Sequence, residues 1–87
     1  MKCANYLCYA AIILTAERLN LSVGMEDYAR QILATKQVPE VAKMGTLIKQ
    51  AQKAIDIVNH NRKGELADTI ALQILKDYNC LSEKTAY

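Results

Sequence analysis

Apolar residues recur along this chain at helical spacing, three and four positions apart. Nowhere do they alternate singly between turn signals, as half-buried strands do. Four segments carry the helical pattern. The first, Cys3 to Leu21, is apolar on almost every side, and its only charges are Glu17 and Arg18 near the C-terminal end. At about 100° per residue, Leu7 and Leu14 share one side, Ile12 and Leu19 the opposite side, and Ile13 lies between them. The second segment follows Gly24. It has Glu26 and Asp27 in its first turn and a single stripe of Met25, Tyr28, Ala29, Ile32 and Leu33. Pro39 turns Val38 away from helical geometry, which ends that helix near Lys36, and Pro39 itself suits the first position of a third helix. There Val41, Met44, Leu47, Ile48, Ala51, Ala54, Ile55 and Val58 fall within an arc of about 140°, with Lys49, Gln52, Lys53, Asp56 and His60 opposite. Asn59 to Gly64 reads as the C-terminal turn, with Asn61 or Gly64 taking the left-handed conformation. A fourth helix, Glu65 to Asn79, presents Leu66, Ala67, Ile70, Ala71, Ile74, Leu75 and Tyr78, with Leu72 outside that arc.

The pattern predicts an all-α fold in which four short helices form two helical hairpins with short connections, a helical bundle. Eighty-seven residues make one domain, taken as 1–81 and followed by a flexible tail, 82–87. A faint internal echo, A-x-Q-I-L, links Ala29–Leu33 with Ala71–Leu75. It is too short to establish a repeat.

A helix that is apolar all round has to be buried all round. A domain of this size covers only roughly 60–65% of its unfolded surface, so the sequence predicts that oligomerisation completes the bundle. The expected association surface is Leu7, Ile12, Ile13, Leu14 and Leu19, with Tyr6 and Tyr9 as amphipathic anchors. Ile57 on the third helix and Leu72 on the fourth project away from their stripes and add to the apparent surplus of apolar surface.

Composition narrows this picture. The chain is 52% hydrophobic and 23% charged, which is globular rather than disordered. It has neither Phe nor Trp, so its core must be aliphatic with help from five Tyr. The net charge of +2 is spread among interspersed signs and does not call for a polyanionic partner. Cys3, Cys8 and Cys80 have no metal-ligand or disulfide-framework spacing and read as small thiols in a reducing, cytoplasmic setting. Cys3 and Cys8, five apart, would lie on different faces of one helix. Leu7 to Ala16 resembles a short signal-peptide core, but Asn5, Tyr6 and Tyr9 dilute it and it is too short for a membrane span of ~20 residues. It reads as a structural helix, with no membrane partner.

No constellation for catalysis stands out. His60, the one histidine, sits where a cation meets the carbonyl end of the third helix. Glu65-Leu66-Ala67-Asp68 has the spacing used by helical metal-dependent hydrolases, but it stands alone at a helix start. No phosphate-cradling glycine loop or HExxH occurs. The expectation is a non-enzymatic protein without metal or cofactor, an adaptor, inhibitor or regulator that associates with itself and with another protein. The second reading is a nucleic-acid-binding module using Lys43, Lys49, Lys53, Arg62 and Lys63, which lacks interleaved aromatic residues for base stacking. A helix-turn-helix register around Pro39 to Ile55 fails, because the third helix runs straight through the required turn.

Overall fold

The computed structural model describes residues 5–80. Within them are four helices and no strand: α1 (Tyr6–Arg18), α2 (Glu26–Thr35), α3 (Val41–His60) and α4 (Gly64–Asp77). The expected domain limit at 81 and the expected tail 82–87 lie outside the described residues.

The architecture is centred on α1, which packs against α2, α3 and α4, while α3 and α4 touch only sparingly. The three outer helices therefore surround the one helix that is apolar on all sides. Ala10, Ala11, Ile12, Ile13, Leu14, Thr15 and Ala16 are all buried within the single chain. This corrects the sequence expectation. Ile12, Ile13 and Leu14 belong to the core and need no second copy to cover them. Tyr6, Leu7, Tyr9 and Leu19, expected on the same surface, are half-buried and packed against that core.

Small side chains make this possible. Ala10, Ala11 and Ala16 of α1 face a shell that includes Ala29, Ala51, Ala54 and Ala67, all without solvent exposure. Alanines let helix axes approach toward the short end of the usual 8–10 Å separation. The molecule measures 31 × 31 × 19 Å, a slab close to two helices thick. Thr15, the one buried polar side chain among the described residues, donates its hydroxyl to the Ala11 carbonyl at 2.8 Å and leaves no orphan.

Helix termini follow local chemistry. Asn5 opens α1, its side-chain oxygen accepting the Cys8 N–H at 3.0 Å. Glu26 opens α2, and its carboxylate accepts the N–H groups of Val23 and Gly24 at 3.1 and 3.0 Å. The α3 helix begins at Val41, two residues after Pro39, with Glu40 at its N-cap. Three helices end alike. The N–H of Leu21, Lys63 and Cys80 each reaches the carbonyl five residues back, on Ala16, Val58 and Leu75, through a left-handed residue at Asn20, Arg62 or Asn79. Neither Asn61 nor Gly64 takes that role after α3. Asn61 has φ −87° and Gly64 is the first residue of α4. Arg62 sits at φ 57° and carries a side chain that disfavours this region. Arg62→Gly is therefore expected to stabilise the fold by about 0.5–1 kcal/mol, read as an upward shift of the urea midpoint at unchanged slope.

Helix length decides what α3 leaves uncovered. Its 20 residues span about 30 Å, against about 20 Å for the 13 of α1. The buried residues of α3 begin only at Leu47 and continue with Ala51, Ala54 and Val58. Val41 and Ile48, predicted in the core stripe, are instead exposed at 92% and 42%. Met44 and Ile55 are half-buried. Ile57, expected to point away, is half-buried, whereas Leu72 is exposed as its position implied. The A-x-Q-I-L echo acquires a common setting: Ala29, Ile32 and Leu33 of α2 and Ala71, Ile74 and Leu75 of α4 are all buried.

Candidate functional site

With α1 enclosed, the surface of interest moves to α3. On a helical wheel Met44, Gly45, Ile48, Gln52, Ile55 and Asn59 join Val41 in an arc roughly 100° wide that contains no charged residue. Val41, Gly45, Ile48, Gln52 and Asn59 are exposed. A Cβ added at Gly45 would meet nothing within 4 Å. At its far end the strip reaches Asn59, whose Oδ1 lies 3.2 Å from where a Gly64 Cβ would stand. Asp56 and Lys49 border the strip on the outer side, and the buried Ala51 and Val58 border it on the inner side. Sequence periodicity places Val41 and Ile48 in the core; the spacing of apolar residues gives neither how far the neighbouring helices extend, which leaves out Val41, nor which part of a wide stripe they cover, which leaves out Ile48.

The basic residues do not form one ridge. Lys49 and Lys53 share the outer face of α3 with His60, and all three are exposed. Lys43 lies about 100° around the helix from them, with its ammonium 5.5 Å from the centre of the Tyr28 ring. Arg62 and Lys63 occupy the α3–α4 turn and are exposed. The residues expected to meet phosphate are thus divided among two faces and a turn.

A shallow groove of about 270 Å³ lies where α2 passes into α3, lined by Tyr28, Gln31, Ile32, Thr35, Val38 and Lys43 among others. Val38 on its rim is 68% exposed. A second depression, at Glu17, Met25, Glu26, Asp27 and Arg30, is structural in character. Arg30 there bridges Asp27 and Glu17, each at 2.6 Å, tying α2 to α1. Those two hydrogen bonds, Asp27's first, hold its guanidinium still further above its ordinary range. Gln50 completes the same end of the molecule by donating to the Val23 carbonyl at 2.6 Å.

Comparison with family models, with curated proteins and with solved structures finds no match.

Among the described residues no three of His, Cys, Asp and Glu converge in a way that could hold a metal ion. No described helix is long and apolar enough to cross a membrane. Cys8 is disulfide-bonded, which corrects the expectation of a reduced thiol there. That expectation rests on the odd number of cysteines and their lack of framework spacing. Cys80 is a free thiol, half-buried with its Sγ 3.7 Å from the Leu33 carbonyl oxygen. Desolvation raises its pKa while the charge of Lys36 pulls the other way. A thiol raised in this way holds little thiolate at neutral pH and makes a poor nucleophile.

Proposed function

We propose that this chain is a small, non-enzymatic helical interaction module, an adaptor, inhibitor or regulator that works by association through the uncharged strip of α3. One observation supports the reading above the others. Val41, with 92% of its surface in water, heads a continuous uncharged strip on a helix whose Leu47, Ala51, Ala54 and Val58 are spent on the core. Burying an aliphatic side chain of this size against a partner is worth roughly 1.5–3 kcal/mol, so a helix laid along Val41 and Ile48 gains several kcal/mol from those two residues. Helix-on-groove recognition commonly uses apolar anchors at such i, i+3, i+7 positions.

Nucleic-acid binding through Lys43, Lys49, Lys53, Arg62 and Lys63 is the competing reading, and one experiment separates the two. A photo-crosslinking residue is placed at Val41 in one variant and at Lys53 in another, each expressed in the native cell. Adducts at Val41 that survive nuclease and disappear with protease are the expected outcome. Nuclease-sensitive adducts at Lys53, with none at Val41, would transfer the function to the basic face. Absence of any adduct at Val41 would remove the strip as an interaction surface.

A further inference from the structure

We infer that the strip of α3 from Gly45 to Asn59 is covered by α3 of a second copy of this chain, running antiparallel about a two-fold axis beside Gln52. The inference rests on the proposed role of the strip as an association surface and names its occupant. When two identical helices pair antiparallel, each flank of the contact strip meets the same flank of the other copy. A flank that is to face itself in reverse must carry opposite charges placed symmetrically about the axis. The edge of the outer flank nearest the strip does so: Lys49 and Asp56 lie on either side of Gln52, on neighbouring lines of the wheel, separated by about 10 Å along the helix, while Lys53 lies about 130° around from the strip's centre. Both are exposed, and neither forms an ion pair among the described residues. Antiparallel pairing sets Lys49 of each copy beside Asp56 of the other, twice per dimer. Parallel pairing would set this flank against the inner one, where Leu47, Ala51 and Val58 offer no charge to meet Lys49 or Asp56.

The strip itself fits the same axis. Ile48 of each copy falls level with the Ile55 region of the other, so the two largest apolar residues of the strip cover one another. Gln52 meets Gln52 at the axis, where two side-chain amides can exchange hydrogen bonds; each now donates to its own Asp56 at 3.2 Å. A single polar residue in an apolar seam fixes register at some cost in affinity. Gly45, with open space where a Cβ would be, lets the second backbone approach. A pairing confined to a helix about 30 Å long falls at the small end of specific interfaces, where association is weak and transient.

Sedimentation velocity from about 5 µM to 1 mM tests this on the full chain, with circular dichroism confirming that each variant stays helical. The wild type is expected to pass from monomer to dimer across that range. Ile48→Gln, at a largely exposed site, is expected to remain folded and monomeric throughout. Lys49→Asp is expected to weaken the dimer about tenfold, and the double variant Lys49→Asp with Asp56→Lys to restore it to within about threefold. A dimer indifferent to Ile48→Gln, or not rescued by the charge swap, overturns this geometry. A wild type that stays monomeric at 1 mM while Val41 still crosslinks a different polypeptide overturns the self-pairing and leaves the interaction module standing. Monomer with no adduct removes both.

Discussion

Ile13→Asp is expected to unfold the protein at every concentration. Ile13 lies at the centre of the central helix with no solvent exposure, and all three outer helices pack around that helix. A carboxylate there has no cationic partner within the core, and among the described residues the only buried polar side chain, Thr15, is already committed to a backbone carbonyl. Taking an unpaired carboxylate out of water costs several kcal/mol even after it protonates, and the lost apolar contacts add about 2–5 kcal/mol. That total is comparable with the whole stability of a small domain. Circular dichroism should show a chain without cooperative thermal melting, and raising the concentration should not recover helicity. A folded but monomeric Ile13→Asp would instead place Ile13 at an interface and contradict the enclosed position of α1.

The second large effect concerns size rather than charge. Ala54→Leu should lower stability by about 2–3 kcal/mol, because three extra carbons must enter a zone where alanines already hold the helices close. Ala54 is fully buried on α3, and Ala10, Ala11 and Ala16 are fully buried on α1. Forcing α3 outward also loosens Leu47 and Val58 on the same face. For a chain of this length the loss corresponds to a fall in Tm of roughly 10–20 °C. Thermal melts of the two proteins at equal concentration measure it. A variant as stable as the wild type would mean that α3 is not held at close range by its alanines.

Most of the fold could be read from spacing. The period of the apolar stripe on α3, the acids at the start of α2 and the proline before α3 each act within a few residues, so local physics determined their outcome. The identity of what covers α1 could not be read this way. An all-round apolar helix says that it must be buried, and the partner could equally be a second copy or three helices of the same chain. That choice depends on long-range geometry, here on alanines at positions as distant as Ala16, Ala29, Ala54 and Ala67 meeting around one axis. The same limit applies to the candidate surface. Val41 and Ile48 have the spacing of core residues, but Val41 lies ahead of the covered stretch of α3, and Ile48, next to the buried Leu47, faces about 100° away from it. Arg62 escaped for a different reason. The turn signals pointed to Asn61 or Gly64, the residue types that tolerate the left-handed region, yet the register of the final hydrogen bonds placed an arginine there.

The central position of α1 also has a consequence in time. It leaves the ribosome before every helix that shelters it, and about sixty residues separate its end from the end of α4. At ordinary rates of synthesis their addition takes roughly 3–12 s, during which the most apolar segment of the chain lacks its full shelter. A nascent chain built in this order is an obvious client for a holdase, and its yield in a cell should depend on how quickly the last helix arrives.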